Sequence, residues 1–143
     1  MYIVSECLLG NKCKYNGKSN DNPKVVAFCE THHYLGVCPE VLGGLPIPRP
    51  PSEIVGDKVM DCHGNDVTEA FRIGAEVAWE KARNYAKEIG EEIEGAILQP
   101  RSPSCGKDQI YDGTFSGILT GGDGYFVRLL KENDIMVITD KEI

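Results

Sequence analysis

The stretch from Asp66 to Gly90 constrains this chain more than any other. Ala70, Phe71, Ile73, Gly74, Val77, Ala78, Ala82, Tyr85, Ala86 and Ile89 recur at helical spacing, which predicts one long amphipathic helix whose apolar stripe must be covered by a second layer. It starts at Asp66-Val67-Thr68-Glu69 and stops before Gly90. On either side lie short runs suited to strands. Tyr2-Ile3-Val4 runs into a loop carrying Cys7, Gly10, Asn16 and Gly17, and Tyr34-Leu35-Gly36-Val37 runs into Cys38-Pro39-Glu40. Gly95-Ala96-Ile97-Leu98-Gln99 enters the loop Pro100–Gly106, and Ile135-Met136-Val137-Ile138 closes as a fourth strand. Pro23 opens a short helix through Glu30, and Tyr125–Glu132 forms a last one. The segment from Gly43 to Pro51 carries Pro46, Pro48, Pro50 and Pro51, so it is neither helix nor central strand.

Strands separated by helical segments imply parallel pairing through right-handed crossovers. The expected fold is therefore α/β: a small open, mainly parallel four-stranded sheet with flanking helices, a Rossmann-like three-layer sandwich. At 143 residues the expectation is a single domain over 1–143, large enough to bury a core without disulfides. Ligands of such sheets sit beyond the carboxyl ends of the strands, near the point where strand order reverses. Cys7, Cys38 and Cys105 each lie just past such an end, so topology gathers them on one rim although no local motif advertises it.

Composition narrows the partners. The net charge is −7, with 22 acids against 15 Lys and Arg, which argues against a broad electrostatic grip on DNA, RNA or an anionic membrane while leaving room for a local basic pocket. The opening MYIVSECLLG is too short and too acidic for an export signal, and no run approaches the length of a membrane span. The reading is a cytoplasmic protein. In that reducing setting six cysteines favour metal binding or thiol chemistry over a disulfide framework.

Three converging thiolates favour zinc, cuprous copper or an iron–sulfur cluster over hard cations. A closed structural site wants a fourth ligand, and Cys13 lies in the loop after Cys7; an open catalytic site keeps one position free. Cys13 thus reads as fourth ligand, spare thiol or structural residue. Cys29 falls in the first helix as a small hydrophobe. Cys62 beside His63 lacks the oriented third group that a nucleophile needs. His32 and His33 suit the end of the first helix as caps, Trp79 belongs to the core face of the long helix, and Gly121-Gly122-Asp123-Gly124 is no P-loop but suits helix capping.

Four stretches carry a resemblance that spans nearly the whole chain. They are Cys7-Leu8-Leu9-Gly10 with Cys13-Lys14-Tyr15-Asn16-Gly17, the run from Cys38 to Arg49, Ser102-Pro103-Ser104-Cys105-Gly106, and the run from Tyr111 to Gly117. Together they resemble the thiouracil desulfidase family. That resemblance implies a 4Fe-4S cluster held by Cys7, Cys38 and Cys105, whose fourth iron takes the sulfur of a thiolated uracil or of 4-thiouridine monophosphate, giving uracil or UMP plus sulfide. It also implies an acid or base at Glu40 and a polar helper at Ser102. Lys14 and Asn16 stand where the family more often has Arg and Asp.

The residues themselves bear this chemistry. Glu40 is two residues from Cys38 and can activate water or return a proton to the ring, or else stand as a solvated loop carboxylate or a cap. Ser102 and Ser104 flank Pro103 beside Cys105, where a hydroxyl can orient water, hold the pyrimidine or satisfy loop backbone. Arg49 offers a planar fork to a phosphate, or a surface salt bridge. The expected partner is a small thiopyrimidine base or nucleotide. Competing readings keep the cysteines and drop the reaction, as a redox sensor or sulfur carrier built on a cluster or zinc, or replace it with zinc-assisted hydrolysis.

Overall fold

A parallel sheet covered on both faces needs apolar side chains on both faces of its strands, and the short runs of this chain supply them. The computed structural model describes residues 1–143. In chain order the elements are β1 (Tyr2–Ser5), α1 (Pro23–Glu30), β2 (Tyr34–Val37), α2 (Pro39–Leu42), β3 (Ser52–Val55), β4 (Lys58–Asp61), α3 (Thr68–Ile89), β5 (Gly95–Leu98), β6 (Gln109–Tyr111), β7 (Leu119–Gly121), α4 (Tyr125–Glu132) and β8 (Val137–Thr139). Two 3₁₀ turns, Glu6–Leu9 and Asp140–Glu142, follow β1 and β8. The main sheet is wholly parallel, in the order β2-β1-β5-β8. From β1 the chain moves outward to β2, then returns across β1 to β5 and on to β8. The strand order therefore reverses between β1 and β5, and the crevice beyond their carboxyl ends is where such a sheet receives a ligand.

Alternation along each strand sends side chains to opposite faces. Ile3, Ala96 and Leu98 meet Ala75, Ala78 and Ala82 of α3 with Phe126 and Leu130 of α4. Val4 and Ile97 meet Leu8 and Val25, with Phe28 of α1 packed against them. The result is the expected three layers. Asn22 Oδ1 accepts the Lys24 N–H at 3.0 Å and Pro23 occupies the first turn, so α1 starts where its capping residues dictate. Gly90, with φ 70°, ends α3 in the left-handed conformation that closes a helix without steric cost. Ile73 departs from the expected apolar face and is 39% exposed. Trp79 is half-buried against the larger core. No helix is long and apolar enough to cross a membrane.

One helix contact fixes the site. A Cβ on Gly74 would lie 1.9 Å from the Pro39 carbonyl oxygen, and one on Gly43 would lie 2.0 Å from the Ala70 carbonyl oxygen. The short α2 thus rests backbone to backbone on α3, and this sets the position of Glu40. Helix propensity alone favours Ala over Gly by about 1 kcal/mol, but the clash dominates here. Gly74→Ala is expected to destabilise the fold by about 1–3 kcal/mol or more and to displace α2, measured by urea unfolding beside an exposed Lys81→Ala control.

Two antiparallel hairpins, β3–β4 and β6–β7, add to the expected elements. Ile54, Val59, Phe71 and Ile110 form a third apolar cluster that ties both hairpins to α3.

Candidate functional site

A cavity of about 600 Å³ opens beyond the carboxyl ends of β1, β2 and β5. Each strand delivers one cysteine to it. After β1 the 3₁₀ turn, anchored by fully buried Leu8 and ended by Gly10 at φ 95°, turns Cys7 inward. After β2, Cys38 sits at the N-cap of α2, with Pro39 setting the first turn. After β5, the loop bends so that Ser102 Oγ accepts the Cys105 N–H at 2.8 Å. This loop is pinned to α4, because Tyr125 and Phe126 donate their N–H groups to the carbonyls of Pro103 and Ser104. The strand ends are fixed to one another by Ser5, whose Oγ accepts the Gln99 N–H at 2.9 Å.

All six cysteines are free thiols, and Cys7, Cys13 and Cys105 are buried. Cys7 Sγ lies 4.0 Å from Gln99 Oε1, and Cys38 Sγ lies 3.8 Å from the Cys13 carbonyl. Burial pushes the Cys105 thiol up to about 12. Cys13 is drawn down by its contact with Cys38, but its contact with Cys7 and its burial outweigh this and raise it to about 11. Cys38 is held well above the usual thiol range by its contact with Cys13 and by burial. The cavity therefore holds thiols that stay protonated unless a positive charge joins them. No three His, Cys, Asp or Glu side chains converge as ligands of one metal ion.

Beside the thiols stands a fixed carboxylate. Glu40 Oε1 accepts Arg49 Nε–H at 3.0 Å, and Glu40 Oε2 accepts the Ser104 hydroxyl at 2.7 Å. Ser102 Oγ is 3.2 Å from Ser104 Oγ. Arg49 also donates to the carbonyls of Pro46, at 3.2 Å, and Cys13, at 2.9 Å. Its side chain is 5% exposed and that of Glu40 16%. Neither surface pairing nor an open fork describes Arg49. Its guanidinium faces inward and spends its donors on Glu40 and the Cys13 loop. The proline-rich segment that carries Arg49 is thus a wall of the cavity.

A model of the 2-thiouracil desulfurase family matches residues 2–142 of this chain. The chain belongs to that family. The uncharacterized protein YbbK of Bacillus subtilis (strain 168) is 39% identical over 153 residues, covering 100% of this chain and 97% of YbbK. Among solved structures, the [4Fe-4S]-dependent thiouracil desulfidase TudS superposes with a TM-score of 0.86 at 39% identity, covering 99% of this chain and 91% of TudS. This family membership makes the chain one of a group of enzymes acting on thiolated pyrimidine.

Against this family background the sequence-predicted residues divide cleanly. Cys7, Cys38 and Cys105 share the cavity with Glu40, and Ser102, Ser104 and Arg49 line it too. Cys29 lies apart, packed at the edge of the α1 layer. Cys62 is exposed at the cavity rim, and His63 serves its own turn by donating its N–H to Asp61 Oδ1. His32 caps α1 as expected, with Nδ1 2.8 Å from the Phe28 carbonyl and its ring stacked on Phe28. Asp123 does not cap α4; it accepts the Asp108 N–H at 2.8 Å and pairs with Lys131, while Gly124 takes the N-cap position. Gln99, Glu53, Tyr111 and Phe115 also line the cavity, and no property of these residues taken singly marks them in the sequence. Tyr111 and Phe115 have one signal there, the Tyr111–Gly117 stretch, and Gln99 and Glu53 have none.

Proposed function

We propose that this chain is an iron–sulfur-dependent desulfidase that converts a thiolated uracil or 4-thiouridine monophosphate to uracil or UMP plus sulfide. The observation that carries this reading is the meeting, in one cavity, of three strand-end cysteines with a carboxylate held on both sides. The donor set fits a 4Fe-4S cluster. Three soft sulfur ligands suit an iron–sulfur cluster, no three side chains converge on a single ion, and the charge of bound iron would stabilise the thiolate form that burial opposes. Cys7, Cys38 and Cys105 would hold the cluster. Bound there, the cluster would supply Lewis acidity that favours a soft thione sulfur over a carbonyl oxygen and makes the ring carbon more electrophilic.

The protein does the rest. Water adds to the thione carbon, the C–S bond breaks, a carbonyl forms and sulfide leaves. Glu40 accepts the proton of the attacking water and can return it to the departing sulfur or the ring. Arg49 and Ser104 keep the carboxylate in one orientation, so Arg49 acts on the substrate through Glu40. Ser102 is a polar helper one hydroxyl further back, joined to Glu40 through Ser104. With Arg49 occupied, Lys14 and Arg101 are the cavity's cations for a phosphate; Lys14 is oriented by Asn20 Oδ1 at 3.0 Å. The free thiols suit the reducing cytoplasm, and the substrate is a small molecule.

The test is anaerobic reconstitution followed by assay of 2-thiouracil and 4-thiouridine monophosphate side by side. The expected outcome is iron with acid-labile sulfide, broad visible absorption and release of sulfide from at least one substrate. A cluster-loaded protein that releases none from either is a sensor or carrier. A colourless protein with stoichiometric zinc overturns the cluster itself.

A further inference from the structure

Phe115 holds a backbone conformation that large side chains rarely adopt. Its φ is 56°, in the left-handed region, and the residue is 38% exposed at the cavity that also receives Glu40 and Cys38. Burial against the core does not account for that conformation. The fold enforces it from beneath. Glu53, a buried carboxylate on β3, accepts the N–H groups of Gly113 at 3.0 Å and Phe115 at 3.2 Å through the same oxygen. Gly113 is pressed so closely on β3 that a Cβ there would lie 2.6 Å from the Ile54 carbonyl oxygen. Asp112 Oδ1 gathers the Thr114 N–H at 3.0 Å and its hydroxyl at 2.6 Å, closing the loop on itself. A strained conformation that its surroundings over-determine marks a place where side-chain direction matters.

From this geometry we infer that Phe115 is the face on which the pyrimidine ring of the substrate stacks, and that Glu53 is the positioning residue that presents it. The inference rests on the desulfidase reading for the identity of the ring and deepens it by naming what recognises the ring. A flat heteroaromatic ring gains from a preformed aromatic face, whichever atom sits at its exocyclic position. The thiols and Glu40 address the sulfur and the reacting carbon, and neither reads the ring plane. Phe115 supplies that selectivity, and Tyr15 and Tyr111 also line the cavity.

The experiment uses the full chain reconstituted with iron and sulfide. Phe115→Ala is expected to raise KM for 2-thiouracil about 5- to 150-fold, with the loss falling on KM rather than kcat, and Phe115→Tyr to restore it. Glu53→Ala is expected to raise KM in the same direction, whereas Glu53→Gln, which keeps an acceptor oxygen, recovers most of the affinity. A second readout separates this inference from the desulfidase reading. Calorimetric binding of uracil, a planar ring, is compared with that of 5,6-dihydrouracil, which lacks the aromatic face. Wild type is expected to prefer uracil and Phe115→Ala to lose the preference, even if sulfide release from every thiopyrimidine proves absent. Equal discrimination by wild type and Phe115→Ala, or none by wild type, overturns the role of Phe115 while leaving desulfurisation to its own assay.

Discussion

Serine in place of Cys7, Cys38 or Cys105 is expected to give a folded chain whose iron and acid-labile sulfide fall to background after anaerobic reconstitution. Each of these cysteines arrives from a different loop, after β1, β2 and β5 respectively. No neighbour on the same loop replaces Cys38 or Cys105. Serine nearly matches the shape of cysteine but offers a hard oxygen whose proton leaves far less readily, so it fills the space without supplying a ligand. Cys13→Ser is the informative control. Cys13 is buried beside the thiols of Cys7 and Cys38, close enough that geometry alone makes it a rival. A fourth thiolate, however, would close the coordination that the proposed reaction uses. Cys13→Ser is therefore expected to retain iron and visible absorption. If Cys13→Ser loses the cluster while Cys7→Ser or Cys105→Ser keeps it, the ligand set must be redrawn around the β1 loop. Urea midpoints of the iron-free variants show whether any loss is one of folding.

The reason the meeting of these three cysteines in one cavity could be read from sequence is topological. A strand that leads into a loop carrying a cysteine, repeated three times in a chain with helical crossovers, leaves little freedom in which rim of the sheet those cysteines reach. The periodic segment from Thr68 to Ile89 likewise carries its own boundaries, since Gly90 closes it. What escapes such a reading is any feature made by contacts between distant residues. Arg49 reads as a phosphate fork or a surface salt bridge because nothing local shows that Glu40 lies within reach of its Nε across the proline-rich turn. Ser102 reads as the nearer helper, but the Cys105 N–H claims its hydroxyl and Ser104 makes the contact with Glu40. The β3–β4 hairpin does have a local signal: Gly56-Asp57 between Ser52–Val55 and Lys58–Asp61 is a two-residue turn joining two β-rich runs. The β6–β7 hairpin has strands of only three residues, too short for alternation to show. Its connecting loop depends on Glu53, far away in sequence.

The Glu40–Arg49 pair sets up the second large effect. Glu40→Gln is expected to lower kcat about 10²- to 10⁴-fold with iron per chain and visible absorption unchanged. Glutamine has the length and planarity of glutamate, and its carbonyl oxygen can still accept Arg49 Nε–H, so the side chain keeps its place while losing the capacity to take a proton. The substitution carries a cost in stability as well. Arg49 is almost wholly buried, and an uncompensated buried charge costs about 3–5 kcal/mol. Turnover is therefore measured at a temperature where the variant's iron content and circular dichroism match wild type. Ser104→Ala and Ser102→Ala refine the result. Loss of the Ser104 hydroxyl frees one carboxylate oxygen and is expected to reduce kcat more than loss of Ser102, whose main bond is to the Cys105 N–H. Arg49→Lys keeps the charge and removes the fork, so it should reduce kcat through a misaimed Glu40 without abolishing the cluster. Full turnover in Glu40→Gln would remove the carboxylate from proton transfer. The buried ion pair would then serve architecture alone, by holding the Cys13 loop and α2 together over the cavity.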